Sequence, residues 1–189
     1  AAPTFTFTSV KTAPAIIKLR AVDTDGVSSA TATEGTAPVR SGRLRMQNAY
    51  GSELLALPVP LEAQYWAGNF YVTNTADSCT VIPMASISMG NYLKQLNACE
   101  TQLTPVGNVT LLAGRLPGAG LVLTKPGLNN EGSVDLAINV SAIPAGNTCV
   151  GAAQSAATAA NMPWFGPNQA SRATFGIYRA PIIYRRENY

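Results

Sequence analysis

Hydrophobic and polar residues alternate in two segments within residues 42–66, and these segments predict a central pair of β-strands. In the first segment, Leu44 and Met46 fall on one face, while charged and amide side chains fall on the other. Side chains alternate across a strand with a period of two, so each segment predicts a strand with one buried and one wet face. If the two strands pair antiparallel, Arg45 and Glu62 meet across the wet face.

Turn and proline signals set the limits of this pair. Polar residues and a glycine at 48–52 predict a turn between the two strands. From Val59 to Tyr65 every second residue is apolar. Pro58 and Pro60 lack an amide donor, so the start of the second strand is expected at a sheet edge.

Short alternating segments recur along the rest of the chain. Further strands are predicted within residues 4–8, 16–22, 70–72, 109–112, 121–124, 133–140, 172–178 and 182–186. The glycines and prolines between 109–112 and 121–124 predict a hairpin, residues 92–96 predict one helical turn through Tyr92, Leu93 and Leu96, and Trp164 is expected to cover one end of the core. The fold class is therefore all-β: one domain, residues 1–189, forming an antiparallel β-sandwich of about ten short strands with long loops and little helix.

The composition agrees with an all-β fold and argues against several classes of function. Only 12% of the residues are charged, 47% are hydrophobic, and glycine and proline number 16 and 13. The net charge of +3 is spread without a basic run, so we expect no nucleic-acid partner. The chain contains no histidine, which removes the commonest general base and zinc ligand. No apolar run approaches the roughly 18 residues of a membrane-spanning helix.

Acidic residues suggest one weak metal site and no catalytic pair. Asp23 and Asp25 stand at the spacing of a calcium-binding loop, directly before Gly26. That glycine is out of phase for an EF-hand, and Asp-Gly after a strand is typical of a turn, so both interpretations stay open. No two of the ten acidic residues are singled out as acid and base. We therefore expect no enzyme activity and no cofactor.

Several sequence blocks, taken in order, resemble one known family. They are GRLRMQNAYGSELLALPVPLEAQYW at 42–66, residues 70–79 and 97–100, residues 126–127 with 132–136, residues 163–164, and RATFGIYRAPIIYRRENY at 172–189. With these blocks the chain resembles the C-terminal domain of unknown function of the MSHA-type pilus biogenesis protein MshQ and of related large bacterial surface proteins.

The resemblance implies an exported bacterial protein at the cell surface or on a type IV pilus, and we expect this chain to be the C-terminal piece of a longer secreted chain. The resemblance implies no catalytic residues. We expect a non-catalytic pilus-associated or pilus-tip domain serving assembly or attachment, with pilus subunits, other surface proteins or a second copy of itself as partners. The alternative is a lectin-like carbohydrate-binding module of a secreted adhesin, with Tyr50, Trp66 and Tyr71 as its glycan platform.

The three cysteines indicate an oxidising compartment with one disulfide and one remaining cysteine. We expect Cys79 to pair with Cys99, because this bond closes the irregular segment between them. Pairing of Cys99 with Cys149 is the rival.

The last apolar segment is a candidate docking strand that adds to the sheet of a pilus subunit through backbone pairing. Its residues are Phe175, Ile177, Tyr178, Ile182, Ile183, Tyr184, Arg185 and Arg186. The alternative is an ordinary closing strand of the core.

Overall fold

A computed structural model shows sixteen β-strands and two short 3-10 helices. It describes residues 5–7, 11–29, 34–105, 107–118, 120–140, 147–150, 153–156, 160–166 and 169–176. The strands are β1 (Ala15–Leu19), β2 (Gly35–Val39), β3 (Gly42–Met46), β4 (Ala49–Gly51), β5 (Leu57–Val59), β6 (Leu61–Trp66), β7 (Tyr71–Thr73), β8 (Val81–Pro83), β9 (Ile87–Lys94), β10 (Leu103–Thr104), β11 (Asn108–Thr110), β12 (Leu121–Leu123), β13 (Gly132–Ile138), β14 (Asn147–Val150), β15 (Ala153–Ala156) and β16 (Gln169–Phe175). The 3-10 helices are Met84–Ser86 and Pro163–Phe165.

The predicted central pair is confirmed. Strands β3 and β6 are antiparallel, and their register sets Arg45 opposite Glu62. Leu44 and Met46 are buried, as the alternation predicts. Strand β7 pairs with the other edge of β6 and completes a three-stranded sheet, β3-β6-β7.

The turn predicted at residues 48–52 is wrong, because the chain turns at Ser52–Leu55 instead. Residues 49–51 form β4, which pairs parallel with β16 in another sheet. Strand β5 pairs only with β12 within its three-stranded sheet, β10-β12-β5, so Pro58 lies in an edge strand as predicted. A proline there removes no ladder hydrogen bond, because the outer edge has no partner strand.

A four-stranded sheet with the order β4-β16-β13-β9 forms the other main layer. In β13 the side chains of Val134, Leu136 and Ile138 are buried, while Asp135 lies on the opposite, wetter face. Strand β16 is an internal strand of this sheet, between β13 and β4. The strand predicted within residues 133–140 is confirmed by β13.

The hairpin predicted between residues 109–112 and 121–124 is wrong. Strand β11 pairs with β8, and β12 pairs with β10 and β5. The chain instead turns tightly at Leu112–Arg115, with Ala113 and Gly114 at positive φ. At Gly114 a Cβ would lie 2.5 Å from the Asn74 carbonyl oxygen, so this turn requires glycine to pack against the neighbouring loop.

Two local predictions also fail. Tyr92 and Leu93 belong to β9 and not to a helical turn. A register shift between β9 and β13 adds an extra residue near Gly90, and this bulge breaks the period of two that identifies a strand. Trp164 does not cover the core, because its side chain is 65% exposed while that of the next residue, Phe165, is buried.

Buried side chains from the β3-β6-β7, β10-β12-β5 and β4-β16-β13-β9 sheets, and from β8, join in one core. The fold is thus all-β and sandwich-like, as predicted, although the strands are more numerous and shorter than expected. Sheets β8-β11, β1-β2 and β14-β15 are separate two-stranded ribbons. Over the described part of the chain, no helix is long and apolar enough to cross a membrane.

Candidate functional site

One face of the β3-β6-β7 sheet carries a network of interacting polar and aromatic side chains, and we call it the outer face. Its residues are Arg43, Arg45, Glu62, Gln64, Trp66, Tyr71 and Thr73, joined at one edge by Arg115. They share this side because their paired positions alternate with the buried residues of the same strands. The face therefore follows directly from the strand register.

Glu62 lies at the centre of the outer face and accepts hydrogen bonds from two neighbours. Gln64 Nε2 donates to Glu62 Oε1 at 2.6 Å, and Thr73 Oγ1 donates to Oε2 at 2.9 Å. Arg115 Nε lies 3.6 Å from Oε2 and forms an ion pair. The Glu62 side chain is only 12% exposed. Both carboxylate oxygens are thus occupied by side chains of the protein.

The position of Arg115 comes from the tight Leu112–Arg115 turn. Gly114 accepts a backbone hydrogen bond from Ala63 at 2.8 Å, and Arg115 forms a β-bridge with Glu62. This brings a cation to the edge of β6 that β7 does not cover. No feature of the sequence around residue 115 predicts that contact.

A second part of the network holds Arg43 over an aromatic ring. Its Nε and Nη2 donate to Gln64 Oε1 at 2.9 and 2.8 Å, and its guanidinium carbon lies 3.6 Å from the Tyr71 ring centroid. Partial burial lowers the Arg43 pKa from its usual value, with Tyr71 opposing this effect and the nearby Arg45 adding to it. The guanidinium is therefore a fixed cation that covers one face of the tyrosine.

Trp66 and Tyr71, two members of the predicted glycan platform, are brought together. Their ring centroids are 5.0 Å apart in an edge-to-face arrangement with an interplanar angle of 69°. Lys11 Nζ lies 5.1 Å from the Trp66 ring centroid. The third member, Tyr50, is exposed on β4, which belongs to the other main sheet. The predicted platform is thus a pair of rings with a cation over each.

An open cleft of about 470 Å³ adjoins the outer face at Glu62 and Arg115. Pro58, Pro60 and Leu116 line its apolar part. Arg115 projects there with its side chain 70% exposed. The cleft and the outer face thus form one continuous surface with a shared ion pair.

Comparison with known proteins identifies the family. A family profile described as DUF6701, fourth domain, matches residues 40–188 of this chain. The chain belongs to the DUF6701 fourth-domain family. No curated protein and no solved structure gives a significant match. The family is a domain of unknown function within larger proteins, so membership in it relates this chain to those proteins without assigning a molecular activity.

In this DUF6701 domain, Asp23 performs a turn-capping role. Its Oδ1 accepts the backbone N–H groups of Asp25 and Val27 at 3.0 and 2.8 Å. Such bonds are typical of an aspartate that closes a turn. Among the residues described, no group of three or more cysteine, aspartate or glutamate side chains is placed to hold a metal ion. Calcium binding by Asp23 and Asp25 stays a prediction.

The predicted disulfide between Cys79 and Cys99 is wrong, because Cys79 is a free, exposed thiol and Cys99 is disulfide-bonded. Asp77 holds Cys79 in a turn, accepting the Cys79 and Thr80 backbone N–H groups at 3.3 and 3.0 Å. The Cys79 thiol also donates to Asp77 Oδ1, at 3.8 Å, and the residue remains exposed. The rival partner, Cys149, has its side chain outside the described residues, and the rival pairing stays a prediction. Strand β14, which contains Cys149, lies beside β9 and β10, the strands that precede and follow Cys99 in the sequence.

The predicted docking strand is only partly described. Phe175 is fully buried in β16, opposite Gly132 on β13 and Gly51 on β4, so it is a core residue and this part of the prediction is corrected. A strand with partners on both sides has no free edge for a third. The remaining predicted docking residues lie outside the described part of the chain: Ile177, Tyr178, Ile182, Ile183, Tyr184, Arg185 and Arg186.

The sequence pattern predicts some members of the outer face and not others. The alternation placed Arg43, Arg45 and Glu62 on a wet face. It gave no reason to expect Gln64 to be buried there or Thr73 to bind the Glu62 carboxylate. Those roles depend on the register between β6 and β7, which a single sequence does not determine.

Proposed function

We propose that this domain is a non-catalytic part of a large, secreted bacterial surface protein of the MshQ type, serving pilus assembly or attachment. Membership of DUF6701 and the resemblance of residues 42–66 and 172–189 to MshQ support the protein class. A disulfide at Cys99 fits export to an oxidising compartment.

The observation that carries the non-catalytic part is how the acidic side chains are used. Glu62, the carboxylate closest to the cleft, has both oxygens occupied by Gln64, Thr73 and Arg115. A general acid or base needs a lone pair or proton directed at a substrate. Asp135 is similarly held on its sheet by a bidentate contact with Arg172. These groups stabilise sheet faces.

Co-purification from piliated cells tests the proposed function. The tagged full-length protein is cross-linked in the source bacterium, and the recovered proteins are identified by mass spectrometry. Pilus subunits are expected with the wild type and absent after deletion of residues 181–189, with circular dichroism showing that the deletion variant stays folded. Recovery of no pilus or surface protein by the wild type contradicts the proposal. Collapse of the fold on deletion assigns the segment to the core.

Glycan binding is the second candidate, favoured by the ring pair on the outer face. Trp66 and Tyr71 lie on the same sheet face as Glu62, which lines the open cleft. A glycan array probed with the wild type and with Trp66→Ala tests it. Binding that is lost in Trp66→Ala and kept in Tyr50→Ala supports this function, and absence of binding to every glycan removes it.

A further inference from the structure

The outer face has an excess of positive charge. Arg43, Arg45 and Arg115 stand on it, and Lys11 lies over its edge at the Trp66 ring. Against these four cations the face has a single carboxylate, Glu62. The strand register and the β-bridge at Glu62 thus bring cations from separate parts of the chain onto one face.

The single carboxylate does not neutralise its neighbours. Arg45 is the cross-strand partner of Glu62, yet the Glu62 oxygens are taken up by Gln64, Thr73 and Arg115. Arg45 is exposed, and within the described part of the chain its guanidinium has no hydrogen-bond or ion-pair partner. Its donors are free to meet an anion from outside the protein.

The cations also change what the two rings can bind. Arg43 covers one face of Tyr71, and Lys11 lies over Trp66. A neutral sugar stacks on a bare ring face, whereas each of these rings already has a cation over one face. A ligand with acidic groups is attracted by the same cations, and the two half-buried rings lie beside them.

We propose that the outer face and the adjoining cleft bind an anionic polysaccharide, with Arg45, Arg115 and Lys11 contacting its acidic groups. This inference takes the carbohydrate class from the glycan-binding candidate above and does not depend on pilus association. Arg115 stands in both surfaces, so a chain of acidic sugars can run from the rings past Arg45 into the cleft. Nucleic acid is the less favoured polyanion, because four cations make a small footprint and base stacking requires bare ring faces.

Polygalacturonate is the probe, and its fully methyl-esterified form is the matched control with the same backbone and no charge. Binding to the 189-residue chain is measured by calorimetry at low salt. We expect binding to polygalacturonate only, and we expect it to weaken steeply as ionic strength rises from about 50 to about 300 mM, because exposed charges are screened. Arg45→Gln and Arg115→Gln are each expected to weaken binding roughly tenfold, the effect of losing one charge-assisted hydrogen bond.

Lys18→Gln is the control variant, because Lys18 is an exposed cation on β1, which belongs to a different sheet from the outer face. It is expected to bind as the wild type does. Absence of binding to polygalacturonate, equal losses in Lys18→Gln and Arg45→Gln, or equal affinity for single-stranded DNA overturns the proposal. Equal affinity for the methyl ester also overturns it while leaving glycan binding in place. Arg45 is exposed and has no hydrogen-bond or ion-pair partner among the described residues, so Arg45→Gln should fold normally, and thermal unfolding checks this.

Discussion

Glu62 offers the sharpest test of the outer face, because its carboxylate joins three side chains from different parts of the chain. Glu62→Ala leaves the buried Gln64 amide without its acceptor at 2.6 Å, which costs about 1–3 kcal/mol. The half-buried Thr73 hydroxyl can turn toward water, so loss of its hydrogen bond to Glu62 adds about 1 kcal/mol. The ion pair with Arg115 adds less than about 1 kcal/mol, because Arg115 is exposed. We expect the free energy of unfolding to fall by about 3 kcal/mol.

Urea denaturation followed by tryptophan fluorescence measures this loss. Glu62→Gln keeps one acceptor oxygen and the shape of the side chain, so we expect it to lose only about 1 kcal/mol. Glu53→Ala is the matched control, because the Glu53 carboxylate accepts one long hydrogen bond, at 3.4 Å, from its neighbour Ser52. Its effect should lie within about 0.5 kcal/mol of zero. If Glu62→Ala is no more destabilising than Glu53→Ala, the network does not stabilise the sheet.

Three further predictions concern the other main sheet and the cysteines. Gly132→Ala should lower the free energy of unfolding, measured in urea, by about 3 kcal/mol, because the added Cβ would lie 2.7 Å from the Cβ of Leu96. Gly90→Ala, on the same sheet, should change stability little, because a Cβ at Gly90 would have no atom within 4 Å. Equal effects of the two substitutions would refute this packing. The Arg172 guanidinium on β16 donates a hydrogen bond to Asp135 and lowers the pKa of this carboxylate. The carboxylate therefore contributes stability above its unfolded pKa of about 3.8, and this contribution disappears as the pH falls through the lowered folded pKa. The difference in stability between wild type and Asp135→Asn should therefore shrink from pH 6 to about pH 2; a constant difference contradicts the linkage. Mass mapping of a non-reduced digest should show a Cys99–Cys149 peptide, and a peptide linking Cys99 to a second protein molecule would exclude that pairing.

Periodicity predicted the parts of the fold in which one strand face is buried and the other is wet. Leu44 and Met46 on β3, and Val134 to Ile138 on β13, alternate cleanly because neighbouring sheets cover one face only. From β3 and β6 alone, even the facing pair Arg45 and Glu62 could be predicted, since the two strands are close in sequence and antiparallel.

Predictions failed where pairing partners are distant or local geometry interrupts the period. β11 pairs with β8 instead of the nearby β12, because the turn ending at Arg115 carries the chain back to β6. A bulge in β9 gave Tyr92 a spacing that resembles a helical turn. The irregular segment between Cys79 and Cys99 predicts that the two pair, but Cys79 lies in a turn capped by Asp77, and its exposed thiol donates to that carboxylate. Each of these depends on contacts that sequence spacing does not encode.

Labelling of Cys79 on intact cells tests the proposed surface location most directly. Cys79 is a free and exposed thiol, so a membrane-impermeant maleimide can reach it when the domain faces the medium. We expect the full-length protein to be labelled on intact bacteria and the labelling to fall in Cys79→Ser. Labelling of Cys79 that appears only after the cells are broken open would contradict a role in attachment or pilus assembly at the cell surface.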